Sequence, residues 1–287
     1  MKICVIGNSH VGALKRGWDL IAPQHPKVEI TFFAHRGNGM ASVKVENGSL
    51  VPTTNELNVA ISHTSGGLNR ITPDDYDIFL IYGLRAKPNF VNKAQFISSQ
   101  ARFQALEDLT LDKLSFSLLI MLRELTDKKV YIGHDPLPAA ITIKSEGNSP
   151  EYMAGIALLN KAIYKPMSAE LVTQPLATIV NQRSTHPAFS QGSKRLAIGD
   201  KLDNQNHSAG ESGHMNDEFG KIWLTSFLSL IGSGAARLEY PARRFKESQV
   251  VSGIRQISNS VPIILSDTDR RGQALIFKLL KVLRLYR

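Results

Sequence analysis

The sequence predicts an α/β fold: a three-layer α/β/α sandwich on a central parallel sheet of about five strands, with a basic C-terminal extension. Three features predict it. Short apolar runs of β-rich composition alternate with longer helical stretches through most of the chain. Their near-continuous apolar character is that of strands covered on both faces. Several of the runs also stop at glycine-bearing or polar turns, and in open parallel sheets ligands bind beyond the carboxyl ends of the strands.

The elements follow in order. Residues 2–6 form the first strand and lead through Gly7-Asn8-Ser9-His10 into a helix over 11–21. Residues 28–33 form a second strand, ending at His35-Arg36-Gly37-Asn38-Gly39. Residues 45–70 lack firm periodicity and read as a long loop or hairpin. The D-I-F-L-I-Y run at 77–82 is the strongest strand and stops at Gly83. A helical pattern covers 92–126, as two helices or one with a break. Residues 129–132 make the fourth strand, closing at Gly133-His134-Asp135-Pro136. Residues 151–167 are helical with Pro166 near their end, a fifth strand is expected at 177–180, and a last helix at 216–230 is ended by Gly232 and Gly234. Residues 1–232 thus read as one domain and 233–287 as an extension, with a short strand at 261–265.

Composition narrows the function classes. An apolar fraction of 43% and a charged fraction of 21% are ordinary for a globular protein. The single cysteine, Cys4, excludes an intramolecular disulfide and sits in the first apolar run, where a buried thiol is expected. The formal charge is +9, but residues 237–287 carry +7 of it. The main body therefore has no basic stripe with interleaved aromatics, and nucleic acid is not expected as a partner. Within 270–287, Lys278, Lys281, Arg284 and Arg287 oppose Leu275, Ile276, Leu279, Leu280, Leu283 and Tyr286. Such a basic amphipathic helix can lie on an anionic membrane surface, enter a partner groove or dock on its own domain. Met1 and Lys2 lead into only four apolar residues, which is no signal peptide, and no apolar run approaches a membrane span. The expected location is cytoplasmic, with peripheral membrane contact through 270–287. No C-x-x-C or His/Cys metal spacing is present, and neither a metal nor an organic cofactor is called for.

Two short stretches carry chemistry. In Gly7-Asn8-Ser9-His10 a serine stands on a tight turn between a buried strand and a helix. Its hydroxyl can project at the sheet edge while N–H groups at the helix start face an oxyanion. The plain alternative is a helix cap. In Glu211-Ser212-Gly213-His214-Met215-Asn216 a carboxylate precedes a histidine by three residues, just before a helix. The acid can orient the imidazole while the imidazole takes a proton from serine. Here the plain alternative is a solvent-facing loop with Asn216 as the cap. The turns after the first three strands converge on one sheet edge, and they hold Ser9, Gly37 with Gly39, and Gly83 with Arg85.

Taken in sequence, these blocks resemble the SGNH/GDSL hydrolases: a serine after the first strand, a glycine after the second, a G-x-N block after the third and a late D-x-x-H. The stretch Thr185-His186-Pro187 through Phe189-Ser190 to Gly192-Ser193, with His214-Met215-Asn216 and Phe219-Gly220, is similar to a bacterial subgroup of that family. The likeness covers about residues 2–230. It departs at Asn8 and Glu211, where the family has Asp, and at Arg85, where it has Asn. The resemblance implies a flavodoxin-like SGNH hydrolase fold and two-step acyl transfer, with Ser9 as nucleophile, His214 as base and Glu211 as acid. It also implies an oxyanion hole from Ser9, Gly37 or Gly39, and the Gly83–Arg85 turn. The implied substrate is an acylated carbohydrate or small-molecule ester, with water or a sugar hydroxyl completing the reaction. His10, His35, His134 and His207 are further candidates to line the site, and Asp200, Asp203 and Asp217 are reserve acids. The competing reading is a catalytically silent module of the same fold, recruited to a membrane or partner by its tail.

Overall fold

The computed structural model describes residues 1–91, 97–147 and 149–232. The extension over 233–287, with its expected strand at 261–265 and amphipathic helix at 270–287, lies outside the described residues. Five parallel strands form the central sheet: β1 (Lys2–Gly7), β2 (Glu29–Ala34), β5 (Ile78–Tyr82), β6 (Lys129–Gly133) and β7 (Ala169–Val172). Their order is β2-β1-β5-β6-β7. The chain steps from β1 out to β2 and then back across to β5. That reversal opens a crevice beyond the ends of β1 and β5, where ligands of such sheets sit.

Register sharpens this edge. Gly7 stands beside both Ala34 and Tyr82, Tyr82 beside Gly133, and Gly133 beside Val172. The strands therefore end in one row. Side chains alternate between the two faces of each strand, and the core divides accordingly. Cys4, Ile6, Phe79, Ile81, Val130 and Ile132 pack toward α4 (Leu114–Leu125) and α5 (Pro150–Leu159). Ile3, Val5, Leu80 and Tyr82 pack toward α1 (Val11–Ile21) and α6 (Asp217–Gly232). This is the three-layer α/β/α arrangement that the alternating pattern predicts.

One expectation is corrected and two are sharpened. The fifth sheet strand is β7, not the run at 177–180. Residues Ile179–Val180 form β8, which pairs antiparallel with β9 (Ser184–Thr185) outside the main sheet. β7 is only four residues long and carries Glu170 in its middle, so it gives little apolar signal. The stretch over 45–70 holds the hairpin that was one of its two readings, and a helix that was not expected. The hairpin joins β3 (Val43–Glu46) and β4 (Ser49–Pro52), and the helix is α2 (Asn55–Ser65). Leu57, Ala60, Ile61 and Thr64 fill its buried face, Thr54 caps its start, and Gly66 ends it at φ 77°. The helical spacing was present but diluted by Asn, Ser, His and Thr. Of the two readings for the helical pattern, two helices is the one present among the described residues, α3 (Ser99–Thr110) and α4.

The tightest contact among the helices is between α1 and α6. A Cβ on Gly220 would overlap the Ala13 carbonyl, and one on Gly17 would overlap the Gly220 and Lys221 backbone. The two helices cross backbone to backbone at these glycines, and each follows one of the chemistry-bearing turns. No described helix is long and apolar enough to cross a membrane. A Gly220→Val change must push the helices apart, and overpacking of this kind costs about 3 kcal/mol. For a domain of this size the melting temperature should fall by roughly 6 °C or more, read by calorimetry or circular dichroism.

Candidate active site

The Ser9 turn is built by its neighbours. Gly7 leaves no room for a side chain, because a Cβ there would strike Val11 and the Tyr82 carbonyl. Asn8 is buried and its Oδ1 accepts from the His10 N–H at 3.3 Å, which fixes the turn. Helix α1 starts without any side-chain cap, with His10 in the capping position. The Ser9 hydroxyl is thus not used as a cap. It lies 2.9 Å from Nε2 of His214, within hydrogen-bond distance.

His214 comes from an irregular segment over 186–216 that two arginines hold against the sheet edge. Arg16 of α1 donates to Asp217 at 2.6 Å and to the Lys194 carbonyl at 3.0 Å. Arg36, just past β2, donates to the Leu196 carbonyl, to Asp200 and to Asp203. Asp203 in turn accepts from the N–H groups of Ile198, Gly199 and Asp200. Asn216 closes the segment: its Oδ1 accepts from the Phe219 N–H, and its Nδ2 reaches the Ala188 and Gln191 carbonyls. The three reserve acids therefore act as anchors for this segment, each paired with an arginine.

Glu211 stands less close than a triad acid would. Its Oε1 is 3.7 Å from His214 Nδ1, too far for a hydrogen bond, and it accepts instead from the Gly213 N–H at 2.7 Å. That N–H is the main reason its carboxyl titrates below the usual range, with His214 adding to it. His214 Nδ1 is buried without a hydrogen-bond partner among the described residues. Two other imidazoles flank it. His207 stacks on His214 with ring centres 4.1 Å apart, and its Nδ1 meets Ser193 Oγ at 3.2 Å. His10 lies 4.9 Å from the His214 ring, with Nε2 3.7 Å from Asp135. Burial lowers the pKa of all three: His10 and His207 to about 4, and His214 below its ordinary value despite the raising effect of Glu211. The group is neutral at pH 7, so His214 is free to accept a proton.

The expected oxyanion donors separate. Among the described residues the N–H groups of Ser9 and Gly37 make no hydrogen bond. That of Gly39 is engaged by the Arg36 carbonyl at 3.3 Å, that of Gly83 by the Gly133 carbonyl at 2.8 Å, and that of Arg85 by Asp135 at 3.2 Å. Gly39 and Gly83 are needed for space instead: a Cβ would overlap the His35 ring in one case and Asn8 Oδ1 in the other. The turn after β5 is unusual, with Gly83, Leu84 and Arg85 all at positive φ (77°, 53° and 65°). Non-glycine residues in that region carry about 1–3 kcal/mol of strain each. Leu84 is buried beneath the turn, while the Arg85 side chain is exposed and unpaired among the described residues.

Two expected lining residues lie elsewhere. His35 contacts Glu56 and the Arg36 carbonyl. His134 is buried and bonded to Tyr152 Oη at 2.7 Å and to the Asp135 carbonyl at 2.6 Å. Asp135, Lys87, Ser193 and Arg195 were not expected at the site. Asp135 had a signal, since it follows a strand of the same parallel sheet; it accepts from Lys87 at 2.8 Å as well as from Arg85. Ser193 lay in the stretch that resembles the bacterial subgroup, while Lys87 and Arg195 had no signal.

No protein-family model matches the chain, and no curated protein does. Among solved structures it is similar to a gut microbial diltiazem-metabolizing enzyme, at 8% identity and a TM-score of 0.38 over 80% of this chain and 46% of that one. It is also similar to an FMN-complexed flavoprotein from Lactobacillus acidophilus NCFM, at 14% identity and a TM-score of 0.20, over 60% of this chain and 89% of that one. The chain spans under half the length of the diltiazem-metabolizing enzyme. Neither likeness bears on the chemistry, which rests on the site's own geometry.

The buried histidines make stability depend on pH. Burial pulls His10 and His134 down to about 4, so between that value and 6.5 the unfolded chain binds protons that the folded one does not. Stability should be highest above pH 6.5 and fall as pH drops through this window. Urea midpoints should be lower at pH 5 than at pH 7, and a His134→Gln variant should show a shallower dependence.

Proposed function

We propose that the protein is a serine esterase of the SGNH type, acting on an ester-linked acyl group of a carbohydrate or small molecule. The observation that carries this reading is the 2.9 Å contact between Ser9 Oγ and His214 Nε2 at the carboxyl edge of the sheet. His214 takes the Ser9 proton as Oγ attacks the ester carbonyl. The Ser9 and Gly37 N–H groups and the Arg85 guanidinium are the donors for the tetrahedral oxyanion. Collapse of that intermediate expels the alcohol, to which His214 returns the proton, and leaves an acyl-Ser9. Water, deprotonated by His214, then releases the acid; a second alcohol in its place gives acyl transfer.

Glu211 acts here through its charge at 3.7 Å rather than through a hydrogen bond. It favours the imidazolium but holds the ring less firmly than a bonded acid would. The stacked His207 supplies part of that positioning.

Ser9→Ala should lower turnover of acyl esters by at least about 10³-fold and abolish fluorophosphonate labelling. Wild-type protein that shows no Ser9-dependent labelling or turnover would instead be a silent member of the fold. Glu211→Gln should cost far less than the roughly 10⁴-fold loss that follows removal of a bonded triad acid. The acid limb of kcat/KM should lie below pH 6.5, because burial holds His214 neutral and activity is lost only as pH falls through its lowered value.

A further inference from the structure

We propose that Arg195 is the recognition group for an anionic substituent on the ester, a carboxylate or phosphate, so that the substrate class is an acidic acyl ester. The inference rests on the serine esterase reading for its chemistry, but on separate observations for the anion. Residues 193–195 pair with 205–207: the Arg195 N–H donates to Gln205 at 2.8 Å, the His207 N–H donates to Ser193 at 2.9 Å, and Lys194 bridges Asn206 antiparallel. In such a pairing, alternate residues share a face. Ser193 faces His207 through its hydroxyl, so Arg195 projects on that same side, next to the imidazole that stacks on His214.

Arg195 is partly buried as a residue, and its guanidinium has no acid or carbonyl partner among the described residues. The arginines that anchor the same segment behave differently, since Arg16 and Arg36 are both saturated by carboxylates and carbonyls. The Arg195 guanidinium thus keeps its donors available to an anion. Its planar fork of donors suits bidentate capture of a carboxylate or phosphate.

Its position also has a consequence for the base. The charged and titratable groups facing His214 are His10 and Asp135 from the turns after β1 and β6, and His207, Glu211 and Arg195 from the 186–216 segment. Lys87 is paired with Asp135. Glu211 and Asp135 favour the imidazolium; Arg195 opposes it, and opposes protonation of His207 as well. An anion bound to Arg195 cancels that opposition. A substrate of the right charge therefore makes His214 a stronger base as it binds, while a neutral ester does not.

The test compares acetyl esters of a neutral sugar, of a uronic acid and of a sugar phosphate. Wild type should favour at least one anionic ester by about tenfold or more in kcat/KM, as charge-assisted bonds allow. The acid limb of kcat should lie at higher pH for that ester than for the neutral one. Arg195→Ala should bring the ratio near one, mainly through KM, and move the acid limb on the neutral ester upward; Arg195→Lys should keep part of the preference. A second readout needs no turnover: in Ser9→Ala protein, glucuronate or inorganic phosphate should shift the His207 and His214 imidazole NMR signals and raise the His214 pKa, and Arg195→Ala should remove both effects. Equal rates on neutral and anionic esters, or signals that neither anion moves, overturn the proposal while Ser9-dependent labelling persists. Absent labelling with intact, Arg195-dependent anion shifts would overturn the esterase reading and leave the anion site standing.

Discussion

The backbone contact between α1 and α6 at Gly17 and Gly220 sets the geometry on which the site depends. Ser9 stands just before α1 and His214 just before α6, so the separation of their side chains is fixed by how closely those helices cross. Any side chain at the crossing would widen it. The 2.9 Å contact between Oγ and Nε2 is in that sense a packing result. Arg16 adds a second tie across the same pair by holding Asp217 in the first turn of α6. A carboxylate there also suits the positive end of the helix dipole.

The segment that delivers His214 has almost no regular structure, so hydrogen bonds must do what a helix or strand would do elsewhere. Arg36 joins the edge beyond β2 to Leu196, Asp200 and Asp203, and Asp203 gathers three backbone N–H groups. Charge-assisted bonds of this kind are among the stronger ones available. They also explain why an irregular segment can keep a half-buried imidazole in register with a serine some two hundred residues earlier in the chain.

Electrostatics at the site is divided between groups that are settled and groups that are not. Asp135 is satisfied by Lys87 and the Arg85 N–H, and Glu211 is satisfied in part by Gly213. His10, His207 and His214 are kept neutral chiefly by burial. Arg85 and Arg195 are left without acid partners among the described residues. The turn that carries Arg85 is strained, a sign that local stability was not what shaped this edge.

Much of this was legible in the chain before folding. The strands β1, β2, β5 and β6 announce themselves as short apolar runs, and the turns after them place Ser9, Gly37 and Arg85 on one edge, because a parallel sheet sends all its strands out the same way. What local pattern could not register was weak or non-local. β7 carries a charge within four residues, α2 hides its apolar face among polar residues, and β8 has the composition of a sheet strand but pairs with β9 alone. The sequence by itself determined the fold class and the two residues now in contact, since apolar periodicity and turn chemistry are local properties. Only the tertiary structure decided that Glu211 stops 3.7 Å short, that His207 stacks on the base, and that Arg195 is left without a partner, because those outcomes depend on which residues distant segments bring together.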